Sequence, residues 1–145
     1  MRRGIGVGVV LLLALGLFPA TLHGQGNETS RRPRPQLGQN YPNPFNPETR
    51  IPFELPAEMF ESGEKVVVTI RIYNALQQLV AVPKARNHPL GEREVLNLEY
   101  TSPGKYEAYW DGMLVSGQKV ASGVYYMRWE VNGERYPPKK MVVAK

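Results

Sequence analysis

The segment "EKVVVTIRIYN", Glu64 to Asn74, alternates strictly. Val66, Val68, Ile70 and Ile72 share one face, and Val67, Thr69, Arg71 and Tyr73 share the other. A period of two marks a β-strand with one buried face, because successive side chains point to opposite sides of a pleated chain. "GVYYMRWEV", Gly123 to Val131, repeats the pattern with Tyr125, Met127, Trp129 and Val131 on one side. Asn132-Gly133 follows directly, and two-residue hairpin turns need positive φ at both central positions, which these residues tolerate best. Shorter runs read as strands at Gln77 to Val82, Glu94 to Tyr100, Gly104 to Trp110 and Glu134 to Ala144, the last kinked at Pro137-Pro138. Glu94 to Tyr100 would place Leu96, Leu98 and Tyr100 on one side. Thr49 to Leu55 also alternates, but Pro52 cannot donate to a ladder, so this run is expected at a sheet edge. No segment keeps a helical period. About seven strands separated by turn residues imply an all-β chain, an immunoglobulin-like antiparallel β-sandwich.

Composition fits that reading. The chain has 145 residues, with 14 Gly and 13 Pro supplying turns. This is enough for one domain. It has no Cys, so its stability must come from its core rather than from disulfides.

The N-terminus reads as an export signal. Arg2 and Arg3 precede an apolar run from Ile5 to Phe18, broken by Pro19 and Ala20. The run is short of the roughly 20 residues that a membrane span requires. A signal peptide over residues 1–24 is expected, then a flexible leader over residues 25–38, then a domain from Gln39 to Lys145. Without residues 1–24 the 18 basic residues fall by two to 16 against 13 acidic, and the net charge falls from +5 to +3. Arg31, Arg32 and Arg34 cluster in the leader and read as a solvated tail. Asn27-Glu28-Thr29 matches the N-glycosylation pattern, a common chance match. An exported chain with so modest a charge and no reading motif is not expected to bind nucleic acid.

Catalysis finds few parts. Asp111 is the single aspartate, and outside the signal segment His88 is the single histidine. A Ser-His-Asp triad would need both, and no nucleophile elbow accompanies them. A zinc site needs about four N or S ligands, which this chain does not offer. The glutamates alternate with apolar residues, as on a solvated sheet face. No enzyme activity, cofactor, metal or small-molecule substrate is expected. Asp111-Gly112 reads as a turn. Tyr109, Trp110, Tyr125, Tyr126 and Trp129 could in principle offer a glycan platform, but the tryptophans fall on the apolar side of their strands. Tyr109 and Tyr126 fall on the opposite sides and are the candidates for exposure.

One stretch asks for a separate account. "QNYPNPFNPETRIPFELP", Gln39 to Pro56, holds five prolines and three asparagines ahead of and within a strand-forming run. Pro42, Pro44 and Pro47 push Tyr41, Asn43 and Asn46 toward extended backbone. Asn side chains close local turns. Tyr41 and Phe45 are placed to anchor the bent segment on the sandwich, covering one end or edge against pairing with other chains.

The same stretch resembles the start of the C-terminal sorting domain of type IX secretion cargo, a domain type similar to the immunoglobulin-like domain of flagellar hook-capping proteins. Asn40, Tyr41, Pro42, Asn43, Pro44, Phe45, Asn46 and Pro47 carry its first motif. Tyr73 and Asn74 lie in "VTIRIYNALQQLV", similar to the family's second strand and turn. Trp110, Asp111 and Gly112 end "GKYEAYWDG", and Ser122, Gly123 and Tyr125 lie in "GQKVASGVYYMRWEVNG". "KKMVVAK", residues 139–145, resembles the basic apolar last strand. The series covers residues 36–145 in order. It departs from the family at Gln77, where Gly is usual and a side chain must avoid positive φ or accept strain. It departs again at residues 84–103, which are longer than the family's connection.

The resemblance implies an exported, non-enzymatic module in the periplasm, at the outer membrane and cell surface, or outside the cell. Its implied partner is the outer-membrane secretion and attachment machinery, met through Lys139, Lys140, Met141 and Lys145. A structural module binding another envelope protein, and a small glycan-binding module, are the alternatives. The family's domain usually follows a large cargo, whereas here only the leader precedes it.

Overall fold

The computed structural model describes residues 33–145, so the expected signal peptide and most of the leader lie outside the described residues. Ten strands form two antiparallel sheets: β1 (Gln36–Leu37), β2 (Thr49–Leu55), β3 (Val66–Asn74), β4 (Leu79–Ala81), β5 (Lys84–Arg86), β6 (Leu98–Tyr100), β7 (Gly104–Trp110), β8 (Gly123–Val131), β9 (Glu134–Arg135) and β10 (Lys139–Val143). A 3₁₀ turn, Ala57–Phe60, follows β2. One sheet runs β1-β2-β7-β5; the other runs β10-β8-β3-β4, with β6 also on β3 and β9 on β8. This is the expected antiparallel β-sandwich.

The alternation in the sequence sets the two inner faces. Val66, Val68, Ile70 and Ile72 of β3 and Tyr125, Met127, Trp129 and Val131 of β8 are buried. They meet Ile51, Phe53 and Leu55 of β2 and Ala108 and Trp110 of β7. Burying one such side chain stabilises the fold by about 1.5–3 kcal/mol, so this interface outweighs any single polar contact. Phe53 sits among aromatic rings, 5.6 Å from Tyr100, 5.7 Å from Tyr106 and 6.3 Å from Trp129. Asn132 and Gly133 take φ of 50° and 78°, the paired positive values that a tight hairpin requires.

Three expectations need correction. β2 is an inner strand, with β1 on its far side, because the last residues of the expected leader, Gln36 and Leu37, pair with Glu54 and Phe53. Pro52 is tolerated there because its missing donor falls toward β1, not toward β7. The Pro52 carbonyl faces that side and accepts from Gly38 N at 2.8 Å, which is where β1 ends. Second, Glu94 to Tyr100 is not one strand. Asn97 takes φ 49°, which flips the alternation: Val95 is buried and Leu96 is exposed. The segment crosses between sheets, with Val95 N donating to Pro83 O and Val95 O accepting from Ile70 N. Third, β5 was not expected; Lys84–Arg86 pairs with Tyr109–Glu107 of β7. Of the two alternatives at Gln77, the turn takes positive φ, 65°. The Asn74 side chain holds that turn, its Oδ1 accepting from Leu76 N and Gln78 N at 3.0 Å each.

Candidate functional site

Asn43 and Phe45 of the first sequence motif lie along the outer edge of β10. Antiparallel pairing with β8 uses one side of β10. On the other side, the chain's own opening segment occupies the ladder positions. Val142 N donates to Asn43 Oδ1 at 2.9 Å, and Val142 O accepts from Phe45 N at 3.0 Å. Ala144 N donates to Phe45 O at 3.0 Å, and Lys140 O accepts from Gln39 Nε2 at 2.9 Å. An open strand edge is a template for pairing with other chains, and here it is largely filled from within.

Local chemistry explains why this segment takes that shape. Asn40 is buried; its Nδ2 donates to Thr49 Oγ1 at 2.9 Å and to Pro42 O at 3.2 Å, while Thr49 Oγ1 donates to the same carbonyl at 3.0 Å. The backbone of Tyr41 pairs with Arg50 in both directions at 2.9 Å. The Tyr41-Pro42, Asn43-Pro44 and Asn46-Pro47 peptide bonds are cis. Phe45 is buried, with its ring 5.4 Å from Trp110, which in turn lies 5.9 Å from Tyr125. Trp110 Nε1 donates to Met113 O at 2.9 Å, and Asp111 Oδ1 accepts from Met113 N at 2.9 Å, closing the turn. Gly112 has φ 75°, and a Cβ there would sit 2.4 Å from Pro47 O, so only glycine lets the opening segment approach this turn. Tyr125 Oη donates to Ala121 O at 3.1 Å, and Ser122 Oγ accepts from Lys145 N at 3.1 Å. Asn74 lies opposite Tyr125 in the β3–β8 ladder, beside Tyr73.

Asn43 and Phe45 therefore hold the edge closed, with Trp110 packed on Phe45 and Gly112 seated under Pro47. Met141, expected at a partner contact, is fully buried in the core, because β10 alternates and Met141 faces inward with Val143. Lys140 and Lys145 are exposed and Lys139 is half-buried. Gln39 and Thr49 belong to the closure but were not singled out. Thr49 carried a signal: it is polar, yet it shares the alternation of Ile51, Phe53 and Leu55.

A second polar cluster lies on the outer face of the smaller sheet. Tyr41 Oη donates to Glu107 Oε2, and Arg50 and Arg86 each place Nε 3.8 Å from Glu107 Oε1. The Glu107 carboxylate raises the Tyr41 phenol above its ordinary pKa. The Arg86 guanidinium lies 5.6 Å from the Tyr109 ring centre. Partial burial raises the pKa of Tyr109, with a hydrogen bond to Glu48 second. Tyr126 belongs to the other sheet, opposite Tyr73. Tyr109 and Tyr126 are both half-buried and lie on opposite outer faces, so they cannot form one glycan platform. Trp110 and Trp129 are buried. His88 is buried; its Nδ1 accepts from Leu90 N at 3.2 Å and its Nε2 lies 2.9 Å from Glu99 O, so both ring nitrogens are engaged by backbone. Among the described residues no group of three His, Asp or Glu side chains could hold a metal ion, and no helix is long and apolar enough to cross a membrane.

No family model and no curated protein matches the chain. Among solved structures the chain is similar to dimeric latent PorU from Porphyromonas gingivalis, with a TM-score of 0.52 and 22% identity. The likeness covers 76% of this chain but 9% of that one, and it is a likeness of fold.

Proposed function

We propose that the chain is an exported, non-enzymatic sorting-type module that engages the outer-membrane type IX secretion and attachment machinery. The observation that carries this reading is the ordered motif series from Asn40 to Lys145, of which Asn43 and Phe45 cover the β10 edge and Trp110 packs on Phe45. The fold likeness to a segment of PorU, a type IX secretion component, agrees with it. Lys140 and Lys145 are the exposed cations of the last segment and are the contacts assigned to the machinery. Deleting residues 139–145 would be a poor test, since it removes buried Met141 and Val143 and with them the fold. Substituting K140A/K145A spares the core. In a bacterium with type IX secretion, a reporter inserted after residue 24, behind the expected signal peptide, should reach the surface or medium, and the K140A/K145A fusion should stay in the periplasm with an unchanged Tm. Equal export of both fusions would overturn the assignment of these lysines, and retention of the unsubstituted fusion would overturn the sorting reading itself.

A further inference from the structure

The open part of the larger sheet's outer face breaks a pairing rule. Arg71 of β3 stands directly opposite Arg128 of β8. Their positions in the alternation turn both side chains outward, and like charges directly opposite each other destabilise a sheet. The neighbouring carboxylate does not resolve this. Glu130 Oε1 is shared between Arg71 Nη1 at 3.4 Å and Arg135 Nε at 3.2 Å. Among the described residues, neither Arg128 nor Lys140 has a carboxylate within ion-pair reach. Arg128 instead lies 4.7 Å from the ring centre of Tyr73. Tyr73 pairs with Tyr126, and Tyr126 pairs with Lys140 of β10, so one row across three strands reads tyrosine, tyrosine, lysine. Aliphatic side chains flank it: Leu79 is 44% exposed and Val124 is 39% exposed.

We infer that this face docks an acidic protein surface. Tyrosine and arginine on a rigid element are the residue types that dominate protein-binding hot spots. The excess of cations supplies charge complementarity for carboxylates, which steers association and suppresses wrong partners. The exposed Leu79 and Val124 separate a protein from a polyanionic glycan, because protein side chains cover aliphatic surface that a hydroxyl- and carboxylate-rich polymer leaves wet. The inference goes beyond the sorting reading and rests on it only for the cellular arm of the test.

The test uses R128Q in the full chain, with K105Q on the opposite sheet as the control cation. Binding to immobilised poly-L-glutamate is measured at 50 and 300 mM salt, with polygalacturonate run in parallel. Wild type and K105Q should bind poly-L-glutamate alike and weaken at the higher salt. R128Q should bind at least about tenfold more weakly, as expected when a charge at an interface centre is lost. Its Tm should be unchanged or raised, because the arginine repulsion is relieved. Equal loss in R128Q and K105Q would overturn the face assignment, tighter binding of polygalacturonate would overturn the partner class, and a Tm drop in R128Q would reduce the arginine pair to a structural role. In the cell, the R128Q reporter fusion should export less than wild type. If wild type itself is not exported, the sorting reading fails while the poly-L-glutamate result still decides the face.

Discussion

Replacing Gly112 by alanine tests how the opening segment is seated. At φ 75° an alanine occupies the left-handed region, which costs about 1–2 kcal/mol for an L residue. The added Cβ would lie 2.4 Å from Pro47 O and 3.3 Å from Pro47 C, and real Cβ contacts do not fall below 3.0 Å. Pro47 is backbone and cannot rotate aside, so the opening segment must shift, adding about 1–3 kcal/mol of the kind seen on overpacking. Gly117 provides the internal control. Its φ is 82°, but a Cβ there meets nothing within 4 Å, so Gly117→Ala carries the left-handed cost alone. For a domain of this size about 1 kcal/mol corresponds to about 4 °C in Tm. Gly112→Ala should therefore lower Tm by about 8–20 °C and Gly117→Ala by about 4–8 °C, read by circular dichroism, with urea midpoints giving the same order. In a Phe45→Ala background, where the segment is already loosened, the extra cost at Gly112 should shrink toward that of Gly117, because both sites act on the seating of one segment. Equal Tm losses for the two glycines would refute the seating of Pro47 on this turn.

Two further outcomes follow from the same packing. Tyr100 Oη is buried with no hydrogen-bond partner among the described residues, and burial, with Tyr106 second, pushes its pKa well above the ordinary value. The folded state then holds this proton more tightly than the unfolded chain, so its stability contribution is intact below about pH 10 and is lost as pH rises through the folded pKa. Tyr100→Phe should be neutral to about 1 kcal/mol stabilising at pH 7 and should move alkaline unfolding to higher pH; superimposable alkaline limbs would show that this phenol is not what titrates. Phe45→Ala should cost about 3–5 kcal/mol and, by freeing the β10 edge, produce concentration-dependent self-association in light scattering. A Phe45→Ala chain that loses this stability yet stays monomeric would show that the opening segment does not shield the edge.

Long alternating runs made the sandwich legible. β3, β7 and β8 follow directly from period-two patterns, and the Asn132-Gly133 hairpin follows from turn chemistry. What the pattern could not show was pairing that depends on distant backbone. β1 consists of Gln36–Leu37 and exists because β2 offers it a ladder, which also moved β2 from edge to interior. Glu94 to Tyr100 looked continuous because Leu96, Leu98 and Tyr100 alternate, but positive φ at Asn97 reverses the facing of the residues before it. The resemblance implies Met141 as a contact of the last segment. Its register opposite Tyr125 of β8, with both side chains buried, puts it in the core instead. The proline-rich segment was legible as an edge cover, but which edge it covers required the Val142 and Ala144 hydrogen bonds.

The motif residues and the proposed docking face relate in opposite ways to local rules. Asn40, Phe45, Trp110, Asp111, Gly112 and Tyr125 each satisfy a local demand: a buried amide is bonded, an aromatic ring is packed, a positive φ is given to glycine. Resemblance carried by such residues therefore speaks first to fold. Information about function is better sought where a rule is broken without local compensation. Gln77 breaks one, but the Asn74 side chain cradles its turn, so the strain has a local answer. Tyr100 breaks another, but its ring packs between Phe53, His88 and Tyr106, and the cost is one unpaired hydroxyl in an aromatic cluster. The Arg71–Arg128 pair is answered only in part: its carboxylate neighbour is shared with Arg135, and the Tyr73 ring beside Arg128 brings no negative charge. It is also on a rigid three-strand surface beside the last strand of the chain. A partner bringing carboxylates to that face would supply the missing compensation, which is why the same substitution is expected to weaken binding while leaving the fold as stable as before or more so.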